Sequence, residues 1–203
     1  MCIDMHFVKP SSLVLASGSP RRQQLLKQLG AEYSVRGQNI QETLKKNEAL
    51  EEFVVRLARE KAVAGFDQQP DANTVVLGAD TIVVCGNVAL GKPSGKEDAQ
   101  RMLLMLSGKS HRVLSAVSLV TASKEKHIMS DTLVAFRDID AREAERYWAT
   151  GEQADKAGGY AIQGFGAVFV KSITGSYSGV MGLPLFETAG LLREFGVPLW
   201  SAK

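Results

Sequence analysis

The sequence predicts an α/β fold: a mixed, curved sheet with flanking helices, arranged as two lobes around a cleft. Three observations carry this expectation. Apolar runs of strand length alternate with amphipathic helical stretches along the chain. At least two strand pairs are joined by short polar connections, Gly86-Asn87 and Ala122 to Lys126. They therefore form hairpins, and the sheet is mixed rather than doubly wound and parallel. The composition is globular, with 45% hydrophobic and 23% charged residues in a chain of 203, enough to bury a substantial core without disulfides.

The elements follow in order. Residues 1–12 lack periodicity and read as a leader, leaving 13–203 as a single domain. Leu13 to Ala16 is a short buried strand. Ser17-Gly18-Ser19-Pro20 is a loop that ends with proline at the first helical position. The helix from Pro20 to Leu29 puts Leu25, Leu26 and Leu29 on one face, and Gly30 stops it. Ala31 to Gln41 is extended. Leu50, Phe53, Val54, Leu57 and Ala58 mark a helix over Asn47 to Ala64. Thr74 to Leu77 and Ile82 to Cys85 are strands, and Gly86-Asn87 turns the chain. Lys96 to Leu106 is a helix with Ala99, Met102, Leu103 and Leu106 inward. His111 to Thr121 and His127 to Phe136 are long strands. Asp140 and Glu143 resemble a capping box at the start of a helix ending near Ala149. The glycine-rich segment Gly151 to Gly166 is a candidate hinge between the lobes. Gly166 to Ile173 is a strand, and the last helix spans Pro184 to Phe195.

Several function classes are excluded early. The formal net charge is +2, so no strong basic field points to nucleic acid. Cys2 and Cys85 cannot build a disulfide framework or a zinc site and suit a reducing compartment. The N-terminal residues lack the apolar stretch of a signal peptide. The longest apolar stretch, Thr74 to Cys85, is too short for a membrane span and is broken by Asp80. His6, His111 and His127 show no metal-ligand spacing.

Three groups of residues carry chemistry. Ser17-Gly18-Ser19-Pro20-Arg21-Arg22 joins a strand to a helix start, where free N–H groups and the helix dipole favour an anion. Arg21 and Arg22 have the wrong sign for that dipole, so a negative partner is expected. A phosphate fits, with Ser17, Ser19 and both guanidinium groups around it. Asp80, in Gly78-Ala79-Asp80-Thr81, is a carboxylate within an apolar strand pair, where burial is costly unless it is paired or functional. Gly78 and Ala79 leave room beside it for a ligand. Lys61, Lys92 and Lys156 complete a cationic set suited to a polyphosphate, and Glu42 is a candidate second carboxylate. Core packing is the expected role of Tyr160, Phe165 and Tyr177.

Together these segments resemble a known family. Ser17-Gly18-Ser19-Pro20-Arg21-Arg22, Gly78-Ala79-Asp80-Thr81, Gly91-Lys92-Pro93, Asp155-Lys156-Ala157-Gly158 and Gly182-Leu183-Pro184-Leu185 are similar, in order, to the motifs of the Maf family of nucleoside triphosphate pyrophosphatases. The likeness covers Leu13 to Phe195. It implies an inosine triphosphatase-like fold and a cytoplasmic enzyme that cleaves a nucleoside triphosphate to the monophosphate and pyrophosphate. It also implies a divalent metal, Mg²⁺ or Mn²⁺, and a link to inhibition of septum formation. A homodimer is the expected assembly. Asp80 matches the family's general base. Arg22, Thr81 and Gln163 match positions tied to substrate choice and resemble the branch acting on dTTP and UTP rather than 7-methyl-GTP. Glu42 matches the second acid of a pair whose first position here is Gln41, and Glu42 and Asp80 are the metal ligands the resemblance suggests. The alternatives are a non-catalytic nucleotide-binding regulator of septum formation and a hydrolase of modified nucleotides.

Overall fold

The computed structural model describes residues 12–68 and 70–201. The leader up to residue 11, with Cys2 and His6, lies outside them. The chain runs β1 (Ser12–Leu15), α1 (Pro20–Gln28), β2 (Tyr33–Val35), α2 (Leu50–Asp67), β3 (Thr74–Cys85), β4 (Val88–Leu90), α3 (Lys96–Leu106), β5 (Ser110–Val120), β6 (Glu125–Phe136), α4 (Ala141–Ala149), β7 (Val170–Thr174), α5 (Tyr177–Met181) and α6 (Leu185–Glu194). Two short 3₁₀ turns, Ala157–Gly159 and Phe165–Phe169, precede β7. No described helix is long and apolar enough to cross a membrane.

One mixed sheet holds the described strands, in the order β2-β1-β3-β5-β6-β7 with β4 also on β3. β1 runs parallel to β2 and β3, and the other pairings are antiparallel. The long strand β3 organises the site. On one edge it pairs with β5 from Val76 to Val84. On the other, β1 pairs with Thr74 to Leu77 and β4 with Val83 to Cys85. The stretch from Gly78 to Ile82 therefore has no strand partner on that second edge among the described residues.

Side chains of β3 alternate between two cores, as the strand period of two requires. Val75, Leu77, Ala79 and Val83 join the large cluster with Leu25, Leu103 and Leu192. Ile82 and Val84 pack on Phe53, Val54 and Leu57 of α2. The helix sits unusually close to the strand at Gly78. A Cβ there would lie 2.1 Å from the Ala58 carbonyl oxygen and 2.5 Å from the Ala62 nitrogen. The room expected beside Gly78 for a ligand is thus filled by helix backbone.

Other boundaries moved for local reasons. Ser12, read as the end of the leader, is already in β1, bonded through its hydroxyl to Thr74 at 3.1 Å. Helix α2 starts at Leu50 rather than Asn47, which turns with φ 62°. Thr74 to Cys85 is one strand, because the β5 register continues unbroken through Gly78-Ala79-Asp80-Thr81. The capping box at α4 is half made. Asp140 accepts from the Glu143 N–H at 2.8 Å, but the Glu143 carboxylate turns to Arg137.

Candidate active site

A cavity of about 780 Å³ opens at the unpaired edge of β3. Its walls come from the loop after β1, from α2, from β3 and β4, and from segments 152–164 and 180–182. Asp80, Lys61 and Glu42 form its acidic centre. Lys61 lies one helical turn past Leu57 on the buried face of α2, so its ammonium cannot reach bulk water freely. It donates to Asp80 Oδ1 at 2.6 Å and lies 2.6 Å from Glu42 Oε1. Asp80 is only 6% exposed. Burial is the strongest influence on it and holds its pKa above the ordinary carboxylate range, against the pull of Lys61 and Arg22. Glu42 behaves oppositely. Burial raises it, but the Lys61 hydrogen bond and the charges of Lys61, Lys92 and Arg22 together bring it below the ordinary range. Two carboxylates around one ammonium are thus pushed apart by unequal burial.

The Glu42 loop is tied back to α2 by Arg56. That guanidinium donates to the Thr43 carbonyl at 3.0 Å and pairs with Glu48 at 2.5 Å and Glu60 at 3.0 Å. Gln41, where the resemblance places a first acid, is exposed and does not line the cavity.

The strand-loop-helix segment supplies the cations differently from the simple cradle. α1 begins with no acidic residue in its first turn, and Ser19 makes no side-chain cap. Ser17 is buried, and its hydroxyl accepts from the Ser19 N–H at 3.3 Å and from Arg22 at 3.2 Å. Arg22 also donates from Nε to the Gly182 carbonyl at 2.9 Å and from Nη2 to the Thr81 hydroxyl at 3.5 Å. Burial lowers the Arg22 pKa, with Asp80 and Glu42 opposing. The negative partner expected for Arg21 is Asp155, at 3.1 Å. Asp155 also holds Lys156, at 2.6 Å. Lys92 follows β4, exposed at the cavity rim.

Thr81 points to the opposite face of β3 from Asp80. Its hydroxyl meets Ser115 at 3.0 Å, and Ser115 donates to the Gly179 carbonyl at 2.6 Å. Gln163 is exposed and lines the far wall with Tyr160 and Ile162. Every residue singled out from the sequence as a site residue therefore borders the same cavity. Of the three aromatic residues assigned to the core, only Tyr160 is buried. Phe165 is 67% and Tyr177 50% exposed, and neither lines the cavity.

A family model described as Maf-like protein matches residues 12–195. The chain belongs to the Maf-like family. Among its relatives is a protein of Hahella chejuensis named dTTP/UTP pyrophosphatase, 50% identical over 190 residues, covering 93% of this chain and 94% of that one. Another of the same name, from Alkalilimnicola ehrlichii, is 51% identical over 189 residues, covering 91% of this chain and 93% of that one. Among solved structures, the Staphylococcus aureus Ham1 protein is similar at TM-score 0.45 and 16% identity, over 62% of this chain and 71% of that chain.

This Maf-like chain also places at or beside the site residues to which the sequence assigned no role. Ser115 lies behind Thr81 and outside the cavity lining, and its register opposite Thr81 is the signal that finds it. Asp155 is another, adjacent to Lys156. Glu152 is a third, lining the cavity beside Lys156 and Gln163. No group of three His, Cys, Asp or Glu that could hold a metal occurs among the described residues.

Proposed function

We propose that this Maf-like protein hydrolyses dTTP and UTP to the monophosphate and pyrophosphate. The observation that carries the reading is the pairing of Asp80 and Glu42 about Lys61 in a cavity ringed by Arg21, Arg22, Lys92 and Lys156. The relatives with half their residues identical bear the name of that activity.

The chemistry follows from the two carboxylate environments. Asp80, buried and held up in pKa, is the better proton acceptor, whereas Glu42 stays ionised. Lys61 engages Asp80 Oδ1, leaving Oδ2 to take a proton from water. That water oxygen bonds to the α-phosphorus, the bond from the α-phosphorus to the bridging oxygen breaks, and pyrophosphate leaves with the electron pair. Arg21, Arg22, Lys92 and Lys156 neutralise the departing charge, with Ser17 and Ser19 beside the phosphates. Two carboxylates fit a hard divalent cation that draws its other ligands from phosphate oxygens and water, rather than a cage made wholly of protein. Glu42 would hold it, with Asp80 beside it as a ligand only while ionised, and when bound it would supply charge neutralisation at the phosphates. The Gln163 amide donates to a pyrimidine carbonyl and accepts from N3–H, an edge that thymine and uracil share and cytosine lacks. Arg22 and Thr81 bound the same pocket and set its shape.

The test is kcat/KM for dTTP, UTP, CTP and 7-methyl-GTP with Mg²⁺, with product identity checked and Asp80→Asn as control. The expected result is monophosphate plus pyrophosphate, dTTP and UTP well above CTP, and a loss of about 10²-fold or more in the control, the scale of a missing general base. A preference for 7-methyl-GTP, or a diphosphate product, refutes the proposal.

A further inference from the structure

Segment 161–166, which carries Gln163, leads into the 3₁₀ turn Phe165–Phe169 and lies outside every strand, and three of its backbone N–H groups are held by side chains. The Ala161 N–H donates to the Tyr147 hydroxyl at 3.0 Å. That hydroxyl in turn donates to Glu152 Oε2 at 2.7 Å. The same carboxylate accepts from the Phe165 N–H at 2.9 Å through Oε1 and from the Gly166 N–H at 3.0 Å through Oε2. The turn is thus pinned at both ends by one phenol and one carboxylate, with Gln163 at its crest. The Tyr147 pKa is raised, by burial first and then by Glu152, so the phenol stays protonated and remains the donor to Glu152.

The glycines of this segment record the same arrangement. A Cβ on Gly164 would lie 1.5 Å from Glu152 Oε1. One on Gly166 would lie 2.8 Å from the Tyr147 hydroxyl. The space beside these glycines is occupied by the carboxylate and phenol that shape the turn.

We propose that Glu152, supported by Tyr147, is the positioning residue for base discrimination: it fixes the 161–166 turn so that the Gln163 amide meets the pyrimidine edge. This rests on the reading that Gln163 faces the base. Glu152 itself does not touch the base. Its main-chain carbonyl also accepts from Lys156, so side-chain substitution leaves that tie to the phosphate-side lysine in place. In Glu152→Gln an NH₂ group replaces one acceptor and faces a backbone donor, so the turn loosens without a change in size.

The experiment measures kcat and KM for dTTP and CTP on the wild type, Glu152→Gln, Tyr147→Phe, Gln163→Ala and the Glu152→Gln/Gln163→Ala double variant. Glu152→Gln is expected to lower the dTTP:CTP ratio of kcat/KM about tenfold, the scale of one lost charge-assisted hydrogen bond. The loss falls on KM for dTTP more than on kcat. Tyr147→Phe lowers the ratio in the same direction and serves where Glu152→Gln does not fold. In the Gln163→Ala background, Glu152→Gln produces no further fall. Equal losses for dTTP and CTP in Glu152→Gln overturn the proposal, as does a further fall of the same size in the double variant. If Gln163→Ala lowers the ratio while Glu152→Gln and Tyr147→Phe do not, only the role of Glu152 is lost. An unchanged ratio in Gln163→Ala removes the base reading itself, and the Glu152 proposal with it.

Discussion

Replacing Lys61 with methionine removes the one ammonium between Asp80 and Glu42 while keeping an unbranched side chain on the buried face of α2. Lys61 is 7% exposed and Asp80 6%, so the variant leaves a carboxylate in a poorly solvated place. Breaking a buried pair by removing one partner destabilises by about 3 kcal/mol or more. The Glu42 contact adds little to that figure, because the Glu42 side chain is 47% exposed and solvent screens it. Asp80 has one escape, which is to bind a proton. Its folded pKa already stands above the ordinary value through burial, and Lys61 is one of the groups holding it down. Without Lys61 it rises further. A folded carboxyl pKa above the unfolded one means that the folded state binds more protons. The stabilisation is then full below the unfolded value, about 3.9, and is lost as pH rises.

Thermal melts of wild type and Lys61→Met at pH 5 and pH 8 read this directly. At pH 8 the variant should melt lower by roughly 10 °C, given 2–4 °C per kcal/mol for a chain of about this size. At pH 5 the gap should be clearly smaller. Turnover at pH 8 should fall by about 10²-fold or more, because a protonated Asp80 accepts no proton. A melting difference independent of pH, or greater at pH 5, would refute the view that Lys61 keeps a buried Asp80 ionised.

Two further outcomes test the frame around the site. Gly78→Val should destabilise by about 3 kcal/mol, at the upper end of overpacking, and reduce turnover, since its side chain must displace Ala58 and Ala62 and with them Lys61; melts and kcat of near wild-type value would show that α2 yields there without consequence. His111, 1% exposed and bonded to the Tyr160 hydroxyl, has a pKa lowered by burial to about 4. The unfolded state therefore binds more protons between pH 4 and an unfolded value of about 6.5, and wild-type stability falls through that window as pH drops, by up to about 3 kcal/mol; His111→Gln should flatten that part of the denaturation-versus-pH curve, and an unchanged slope would remove His111 as its source.

Much of this was legible in the sequence where one local pattern decides the outcome. Helix α3 begins and ends where the spacing of Ala99, Met102, Leu103 and Leu106 put it. Asp80 stood out because an acid among valines and isoleucines needs a reason. Other features depend on partners distant in sequence. The five-residue helix α5 has no long periodicity to announce it, and rests on a Ser176 cap and a left-handed Gly182. The strand expected from Gly166 to Ile173 starts only at Val170 and runs to Thr174, and Phe165–Phe169 is a 3₁₀ turn whose first two N–H groups go to Glu152. The segment read as a hinge is stitched in place by a fully buried Gln153 and by the Gly158 N–H on the Gly91 carbonyl at 3.0 Å. Arg21 and Arg22 were visible as cations, but their protein partners, Asp155 and the Gly182 carbonyl, lie more than a hundred residues away.

The site owes its form to a gap in one strand edge. Among the described residues, no strand pairs with Gly78 to Ile82 on that edge between β1 and β4, while β5 pairs with the whole stretch on the other. A strand so placed is rigid and yet open to a ligand from the side. Its period of two then sends adjacent residues to different tasks. Asp80 turns to α2 and meets Lys61; Thr81 turns to the opposite face and meets Arg22 and Ser115. A slip of one residue would exchange the two faces, burying the carboxylate among the leucines of the larger core and placing a hydroxyl against Lys61. The unbroken β5 register from Val76 to Val84 and the close approach of α2 at Gly78 both oppose that slip. The same contacts that make β3 a central strand therefore keep Asp80 and Thr81 on their separate faces at one cavity.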